Sequence, residues 1–295
     1  MPVRWGVLGA AWIAEKAVLP AMREAGGAEL LAIAARDPAR AREVAARHGV
    51  PRVHEDYAAL LADPDVDAVY LPLPNSLHLP WTERALAAGK HVLCEKPLAL
   101  NATEAREMAE AARASGRLLM EAAMYRFQPR MRELVASLAG ADIRHVSASF
   151  AFPIDKPDNY RMRPEYGGGA LLDVGFYVAD VARWLLGEPE RVEAVIDGGA
   201  VDMSCTALLG FPNGAQAALF ASFASAEHQE VVVVCADRVE RVDQPFTPTW
   251  DPVAQYRVMV EEFSAAAATG APAPLPLESS IANLRLLDRI RDAAG

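Results

Sequence analysis

The N-terminal strand, turn, helix and second strand constrain the fold more than any other part of this sequence. Val3 to Leu8 is an apolar run of buried-strand length, and Gly9 then opens a turn of small residues before a helix that carries Glu15 to Glu24. Glu29 to Ala35 is a second strand that closes a βαβ unit. Such a unit brings backbone N–H groups and the positive end of a helix together at the turn. The pattern predicts a doubly wound α/β domain with a pyrophosphate site at this turn.

The turn is an incomplete form of the G-x-G-x-x-G motif, because Ala11 stands at the second glycine position and Ala14 at the third. The motif alone does not separate a nucleotide-binding turn from an ordinary connection between a strand and a helix. The complete βαβ unit favours the nucleotide site. The residues that we expect at the cofactor phosphates are Gly9, Ala11, Trp12 and Ile13.

The end of the second strand carries Arg36 immediately before Asp37, with Arg40 one helical turn further on. In dinucleotide sites an acid at this strand end accepts a hydrogen bond from the ribose 2′-hydroxyl, whereas an arginine accommodates a 2′-phosphate. Because the arginine comes first, we expect NADP(H) in preference to NAD(H). The alternative is that both arginines are solvated residues at a helix start.

Two later strands end in loops that belong at the same edge of the sheet. Ala68 to Leu73 is followed by Pro74-Asn75-Ser76-Leu77-His78, and Lys90 to Cys94 is followed by Glu95-Lys96-Pro97. Proline stops strand pairing and restricts the residue before it, so Lys96 is aimed at one place. The alternative is a strand end with solvated charges. Ligands of doubly wound sheets lie at this edge, and the residues that we expect beside the cofactor here are Leu71, Pro72, Asn75, His78, Glu95 and Lys96.

The chain is long enough for two domains, and its organisation changes partway along. With 295 residues, of which 52% are hydrophobic and 23% charged, it has the profile of a compact protein. After the alternating strands and helices comes a run of strands separated by turns, which predicts a second, mostly antiparallel α+β domain. We expect residues 1–121 to form the dinucleotide-binding domain and residues 122–295 to form the substrate-binding and dimerisation domain.

The second domain also carries the signal for a partner. Val231 to Val234 is apolar at consecutive positions, and Leu219 to Ala226 contains no charge. Strands that are apolar on both sides are usually covered on both faces. We expect helices on one face and a second copy of the chain on the other, which gives a homodimer through the C-terminal sheet. A simpler alternative is that this domain serves only for assembly.

A glycine triplet, Gly167-Gly168-Gly169, precedes a helix that is apolar nearly all the way round and is therefore expected to be buried. Its exceptions are Asp173, Tyr177 and Asp180, which fall on one stripe at helical spacing. A narrow polar stripe on a buried helix favours a polar pocket, and a structural hydrogen-bond network is the alternative.

Charge and cysteine content exclude several functions. The formal net charge is −10 and no basic tract is present, so nucleic acid is not an expected partner. The three cysteines are far apart and lack the spacing of a zinc or redox site, so we expect reduced thiols in a cytoplasmic protein, and no metal. The uncharged stretch from Met203 to Ala226 is broken by Pro212-Asn213-Gly214, which predicts two strands and a turn instead of a membrane span.

In combination, these motifs resemble the glucose-fructose oxidoreductase / inositol 2-dehydrogenase / rhizopine catabolism (Gfo/Idh/MocA) family. The resemblance rests on the glycine turn, the Ala-Arg-Asp-Pro strand end, Pro-Asn-Ser-Leu-His, Glu-Lys-Pro and the glycine triplet with its helix, and it covers essentially the whole chain. It implies a Rossmann domain followed by a domain with an open-faced sheet. It also implies a nicotinamide cofactor and a small-molecule substrate such as a sugar, polyol or cyclic diol.

The resemblance implies roles for individual residues as well. Lys96 matches the catalytic lysine and Asp173 the aspartate of the helix, whereas Tyr177 stands where many members have histidine. Tyrosine at this position is similar to the branch that holds glucose-fructose oxidoreductase, NADP-dependent xylose dehydrogenase and dimeric dihydrodiol dehydrogenase. Tyr125-Arg126-Phe127 resembles a segment that lines their sites, and we expect Arg163 to contact the substrate too.

The expected reaction is reversible hydride transfer at a carbinol carbon, with Tyr177 exchanging the hydroxyl proton. An unperturbed phenol titrates near 10, so a neighbouring ammonium group, that of Lys96, is needed to favour the phenolate at neutral pH. Asp173 would orient the lysine or bind a second hydroxyl of the substrate. The alternative function is a sensor or regulatory protein that binds NAD(P) in the same fold without turnover.

Overall fold

The computed structural model describes residues 1–156, 158–247 and 254–295. The chain divides into two compact units. The first holds Met1–Ala99, Thr103–Gln128 and Asp251–Ser280, and the second holds Leu100–Ala102, Pro129–Trp250 and Ile281–Gly295.

The first unit is built on a parallel sheet. Its strands are β1 (Val3–Leu8), β2 (Ala28–Ala34), β3 (Arg52–Val53), β4 (Ala68–Leu71), β5 (His91–Cys94) and β6 (Leu119–Glu121). They are arranged in the order β3-β2-β1-β4-β5-β6, and every neighbouring pair is parallel. The order reverses between β1 and β4, which is where open α/β sheets bind ligands. The predicted doubly wound fold is confirmed.

Helices flank this sheet and recur in the second unit. They are α1 (Leu19–Glu24, which continues a π-helical turn at Ala14–Val18), α2 (Pro38–His48), α3 (Tyr57–Ala62), α4 (His78–Ala87), α5 (Ala102–Ser115), α6 (Pro129–Ser137), α7 (Phe176–Leu186), α8 (Ala254–Thr269) and α9 (Leu277–Ala293). Local chemistry sets their ends. The α2 helix, for example, begins at a cap in which the Asp37 side chain accepts a hydrogen bond of 2.9 Å from the N–H of Ala39, and it ends at Gly49 with a φ of 64°.

The second unit contains a mixed sheet. Its strands are β7 (Ile143–Ala151), β8 (Arg191–Gly198), β9 (Asp202–Gly210), β10 (Gln216–Ser222), β11 (His228–Cys235) and β12 (Val239–Asp243), in the order β12-β11-β7-β10-β9-β8. The β7 and β10 strands pair in parallel, and the other pairs are antiparallel. The α7 helix packs on β7 and β10. The predicted mostly antiparallel sheet domain is confirmed.

One face of this sheet is buried and the other carries exposed apolar side chains. Along β11, Val231 and Val233 are fully buried, whereas Val232 and Val234 are half-buried. The most exposed apolar residues of the sheet are Val195, Leu208 and Val239, at 72%, 54% and 59%. Within one chain, the sheet is therefore open on the side opposite α7.

The C-terminal part of the chain does not follow the predicted linear division. The α8 helix belongs to the first unit, where Phe263 lies 5.1 Å from the buried ring of Trp5 and the indole N–H of Trp5 donates to Ser264. The first unit also extends to Gln128. The predicted ranges 1–121 and 122–295 thus differ from the compact units, because a late helix returns to the first sheet.

The α9 helix begins at Leu277, and the Ser280 side chain is buried inside it. The short strand β12 pairs antiparallel with β11 at the edge of the second sheet. Among the described residues, no helix has both the length and the apolar character that a membrane span requires.

Candidate active site

The predicted pyrophosphate turn has the backbone geometry that only glycine adopts easily. Gly9 has a φ of +135°, and a Cβ added there would lie 3.3 Å from the carbonyl oxygen of Pro72. Its N–H donates to the carbonyl oxygen of Ala34 at 2.8 Å. The turn is thus packed between the ends of β2 and β4, as a cofactor loop at the switch point requires.

The side chains after Gly9 leave the backbone of the turn accessible. Ala11 and Ile13 are half-buried, whereas Trp12 is 68% exposed, with the ammonium nitrogen of Lys16 at 4.5 Å from its ring centre. A π-helical turn at Ala14–Val18 follows directly. Such turns occur frequently at functional sites.

The two arginines expected at the 2′-phosphate lie in different surroundings. Arg36 is exposed at the end of β2. Arg40 forms an ion pair with Glu15 and a 2.7 Å hydrogen bond with Glu43. The carboxylate of Asp37, next to Arg36, caps α2. Arg36 is therefore the cation of this group whose surroundings best suit a phosphate.

His78 ties together the loops that follow β4 and β5. Its imidazole is fully buried, with Nδ1 at 2.8 Å from the carbonyl oxygen of Pro97 and Nε2 at 2.9 Å from that of Leu73. Burial lowers the pKa of this histidine. We expected His78 to contact the cofactor, but both ring nitrogens lie against backbone carbonyls, so its role in the structure is to hold the two loops.

Three further predicted cofactor residues lie at the end of β4 and in the loop that follows it. Leu71 is fully buried at the end of β4, and Pro72 is buried against Gly9. Asn75 is 8% exposed and opens a short 3-10 helix at Asn75–Leu77. These positions line the strand ends near Gly9, and their contact with a cofactor stays a prediction.

The loop that carries Lys96 is anchored through Glu95. The hydroxyl of buried Tyr70 donates to Oε1 of Glu95 at 2.6 Å, and the N–H of Lys96 donates to Oε2 at 3.2 Å. Burial, and after it the charge of Glu95, raises the pKa of both Tyr70 and Tyr256 of α8. Both phenols therefore stay protonated at ordinary pH. Glu95 has buried neutral phenols around it, which fix the strand end before Lys96.

The chain beyond Lys96 is held as firmly. The Lys96–Pro97 peptide is cis. The N–H of Leu98 donates to Oε1 of the buried Glu121 at 2.6 Å, which joins the loop to the end of β6. The half-buried Lys96 side chain thus starts from a backbone that is tied on both sides. The direction of the Lys96 side chain towards one place stays a prediction.

In the second unit, Asp173 lies in a π-helical turn, Leu171–Gly175, that precedes α7. Its Oδ2 accepts a hydrogen bond of 2.6 Å from Nε of Arg161. The side chains are 10% and 28% exposed, respectively. Asp173 is therefore one half of a shielded ion pair that the sequence prediction did not include.

Tyr177 is 3% exposed and lies among aromatic rings. The ring centres of Phe150 and Phe246 are 5.3 Å from its own, and that of Phe176 is 5.4 Å away. Further along α7, Asp180 is buried and lies 3.8 Å from Arg183. The predicted polar stripe is therefore buried. Aromatic rings surround Tyr177, and Asp173 and Asp180 each lie close to an arginine side chain.

The glycine triplet has two specific neighbours. A Cβ on Gly168 would lie 2.4 Å from the carbonyl oxygen of Arg161, and one on Gly169 would lie 2.1 Å from Oδ1 of Asp202. Asp202 in turn accepts a hydrogen bond of 2.5 Å from the N–H of Leu171. The triplet thus admits the backbone that carries Arg161 and the carboxylate that caps the following helix.

The remaining predicted substrate residues differ in exposure. Tyr125 and Phe127 are 0% and 1% exposed, while Arg126 is half-buried and lies 3.3 Å from the hydroxyl of Ser279. Arg163 is exposed and lies 3.8 Å from Glu165. Of these residues, Arg126 and Arg163 retain accessible polar surface, and their contact with a substrate stays a prediction.

The sequence analysis missed Arg161, Tyr70, Tyr256 and Asp202. The glycine triplet is a signal that something approaches the backbone there, but spacing alone does not name Arg161 or Asp202 as the neighbours. Tyr70 and Tyr256 are buried phenols from distant parts of the chain, and only the fold brings both to Glu95. Among the described residues, no group of three or more histidine, cysteine or acidic side chains could hold a metal ion.

Comparison with known proteins agrees with both units. A family model described as "Oxidoreductase family, NAD-binding Rossmann fold" matches residues 3–123, and the "GFO/IDH/MocA C-terminal domain" model matches residues 129–239. D-xylose 1-dehydrogenase (NADP(+)) 2 from Haloferax volcanii is 39% identical over 98% of this chain and 97% of its own length. Trans-1,2-dihydrobenzene-1,2-diol dehydrogenase from Mus musculus is 34% identical over 84% of this chain and 77% of its own.

A solved structure shares the whole architecture. A 3-ketoreductase from Actinomadura kijaniata, in complex with NADP and TDP-benzene, superposes with a TM-score of 0.89 over 99% of this chain and 98% of its own, at 33% identity. The two matched domains, the sequence relatives and this superposition together show that the chain belongs to the Gfo/Idh/MocA oxidoreductase family.

Proposed function

We propose that this chain is an NADP-dependent oxidoreductase that transfers a hydride between nicotinamide and a carbinol or carbonyl carbon of a sugar, polyol or cyclic diol. One observation carries the proposal. A chain 39% identical to an NADP-dependent xylose dehydrogenase keeps a lysine on an anchored strand-end loop, together with an aspartate and a tyrosine on one buried helix. These are the residue types that exchange a hydroxyl proton while a cofactor carries the hydride.

The first unit fits a dinucleotide. The positive φ of Gly9 and its close approach to Pro72 disfavour a side chain at the turn, so a cofactor phosphate would meet backbone N–H groups there. Gly9, Ala11 and Ile13 would hold the phosphates, Arg36 the 2′-phosphate, and Glu95 the part of the cofactor near Lys96. When bound, the nicotinamide gives or takes the hydride.

The chain's own residues would manage the proton. Tyr177 gives a proton to the carbonyl oxygen during reduction, or takes it from the hydroxyl during oxidation. The sequence-based expectation is that the ammonium group of Lys96 favours the phenolate and binds the same substrate oxygen. Asp173 accepts a hydrogen bond from a second hydroxyl of the substrate, which favours diols and sugars over simple alcohols. The phenylalanine rings packed around the ring of Tyr177 keep it in one position.

A substrate screen tests the proposed function directly. The purified protein is incubated with NADP+ or NAD+ and a panel of aldoses, inositols and cyclic diols, and NAD(P)H is followed by fluorescence. We expect turnover with at least one member and with NADP+ in preference to NAD+. Tight cofactor binding without turnover on any member, in either direction, would favour the sensor alternative, which the named relatives do not support.

Replacement of Lys96 or Tyr177 tests the catalytic assignment. Lys96→Met and Tyr177→Phe should each lower kcat about 10²–10⁴-fold, the usual contribution of acid–base groups, with NADP(H) affinity nearly unchanged. Because the two groups act on one proton, the double variant should be little slower than either single variant. Lys156→Met, at an exposed position, is the control.

Loss of NADP(H) binding by Lys96→Met would instead make this lysine a phosphate-binding or structural residue. Crystal structures of the A. kijaniata ketoreductase include variants with a lysine or a tyrosine replaced, both in complex with NADP and TDP-benzene. This supports the expectation that such changes leave cofactor binding intact. The cytoplasmic location of this chain stays a prediction.

A further inference from the structure

We propose that Arg161 is a positioning residue for the reaction proposed above and holds the Asp173 carboxylate in place. The inference rests on the proposed function, and it adds a residue that neither the motifs nor the spacing identified. It starts from the 2.6 Å hydrogen bond between Nε of Arg161 and Oδ2 of Asp173.

The ion pair is shielded from water. The Asp173 side chain is 10% exposed and that of Arg161 is 28% exposed. Charge-assisted hydrogen bonds in such surroundings are short and strong, and a buried carboxylate without its partner is unfavourable. Arg161 is therefore a shielded, charge-assisted partner of the Asp173 carboxylate.

The backbone of Arg161 is fixed independently of its side chain. Its carbonyl oxygen accepts a hydrogen bond of 2.9 Å from the N–H of Gly169, and its N–H donates to the side chain of Asn159 at 3.1 Å. A Cβ on Gly168 would lie 2.4 Å from the same carbonyl oxygen. The glycine triplet thus packs closely against this segment and holds it beside the π-helical turn that contains Asp173. Such support of a functional group by its neighbours is what precise positioning requires.

The side chain is also restrained. Its guanidinium carbon lies 4.6 Å from the ring centre of Tyr160, within the range of a cation–π contact. Burial opposes the charge of Arg161, but the charge of Asp173 and its hydrogen bond outweigh this effect, so the pKa of Arg161 is raised.

Arg161 and Lys96 would then have different tasks. Lys96 belongs to the first unit and Arg161 to the unit that carries Tyr177. Arg161 acts through Asp173 on its own unit, whereas Lys96 acts on the substrate oxygen.

The test compares Arg161→Ala with Arg144→Ala, which removes an exposed arginine of the same unit that pairs with Asp142. kcat, KM, NADPH affinity and the melting temperature are measured with a substrate found by the screen. We expect Arg161→Ala to lower kcat at least about ten-fold, the effect of losing a hydrogen bond to a charged group, with NADPH affinity unchanged. Methylguanidinium at millimolar concentration should restore part of kcat without raising the melting temperature. Arg144→Ala should match the wild type.

Several results would overturn the inference. Equal kcat values for Arg161→Ala and the wild type would do so, as would a loss of kcat that follows the melting temperature and does not respond to methylguanidinium. If Arg161→Ala does not fold, Arg161→Met removes the hydrogen-bond donor at similar side-chain length, and a wild-type kcat for that variant refutes the proposal. A wild type that turns over no substrate overturns the proposed function and this inference together, whereas an active wild type with an equally active Arg161→Ala overturns this inference alone.

Discussion

Arg36 and Arg40 stand one helical turn apart after β2, and their guanidinium groups differ in what they can bind. The hydrogen bond to Glu43, together with the charge of Glu15, raises the pKa of Arg40. Its positive charge is thereby compensated by two carboxylates. Arg36 is exposed, and the acid beside it caps α2. A 2′-phosphate that reached the end of β2 would find its strongest attraction at Arg36.

We therefore predict that Arg36→Ala narrows the preference for NADP(H) over NAD(H). Loss of a charge-assisted contact should weaken NADP(H) binding by about 1.5–3 kcal/mol and leave NAD(H) binding nearly unchanged. Fluorescence titration with both reduced cofactors measures this. Arg42→Ala, at an exposed position on α2, is the control. Equal affinities of the wild type for the two cofactors would show that this prediction is wrong.

Single residues were predictable from the sequence where a motif fixed their backbone. Gly9 and Lys96 occupy the strand ends that their motifs predicted. The sequence could not separate Arg161 from Arg163, because both follow the same irregular segment and only the folded backbone turns one towards Asp173. His78 was assigned to the cofactor because its loop lies at the right edge. Its burial between two carbonyl oxygens is a packing result that no motif encodes.

At the scale of elements, the glycine triplet shows how a loop determines the surroundings of a helix. We predict that Gly168→Ala destabilises the fold by about 1–3 kcal/mol, because its Cβ would overlap the backbone carbonyl of Arg161 and push that segment away. Its kcat should fall as well, since Arg161 moves. Gly199→Ala is the matched control, because nothing lies within 4 Å of its Cβ position. Urea unfolding and kcat are the measurements, and equal stability of the two variants would contradict this account.

His91 joins β5 to the start of β6, and its titration gives a prediction about pH. Its Nδ1 accepts a hydrogen bond of 3.0 Å from the N–H of Leu118, which requires an unprotonated nitrogen. Burial, followed by the charge of Arg117, lowers the pKa of His91. The folded state therefore resists protonation, and its stability falls as pH drops below the unfolded-state value of about 6.5.

In His91→Leu this contribution disappears. Stability at pH 7 should fall by about 1 kcal/mol with the lost hydrogen bond. The free energy of unfolding should also fall less between pH 7 and 5.5 in this variant than in the wild type. The difference between the two proteins should be at most about 1.4 kcal/mol per pH unit. Urea unfolding at several pH values measures both effects. Parallel stability curves for the two proteins would rule out a role for His91.

Most elements were predictable because their periodicity is strong. Five of the six strands of the first sheet and five of the second carry apolar patterns, whereas β3 is only Arg52–Val53. The α8 helix is different, because its sequence shows a helix with an apolar side but does not show which sheet it covers. The contact of Phe263 with Trp5 joins residues from opposite ends of the chain, and local sequence does not encode such a pairing. The short β12 strand, with two acids and an arginine among five residues, lacks an apolar pattern.

At the scale of the whole molecule, the open face of the second sheet is an apolar surface that a binding partner would bury. The apolar side chains of that face come from five of its six strands, and they are Val195, Leu208, Ala218, Phe220, Val232, Val234 and Val239. Their position opposite the helix-covered face follows from the strand register, in which Leu208 pairs with Ala218 and Val232 with Arg241. Large apolar patches are rare on monomeric proteins.

We predict that the protein is a homodimer in solution and that this face forms the interface. Leu208→Glu would place a charge in the middle of an apolar contact and should convert the dimer to monomer. Because Leu208 is 54% exposed in the single chain, the substitution should leave the folding of the monomer nearly unaffected. Arg42→Glu, an exposed change in the first unit, is the control and should remain dimeric. Light scattering at micromolar concentration measures the mass, and a monomer mass for the wild type would refute the prediction, as would a dimer mass for Leu208→Glu.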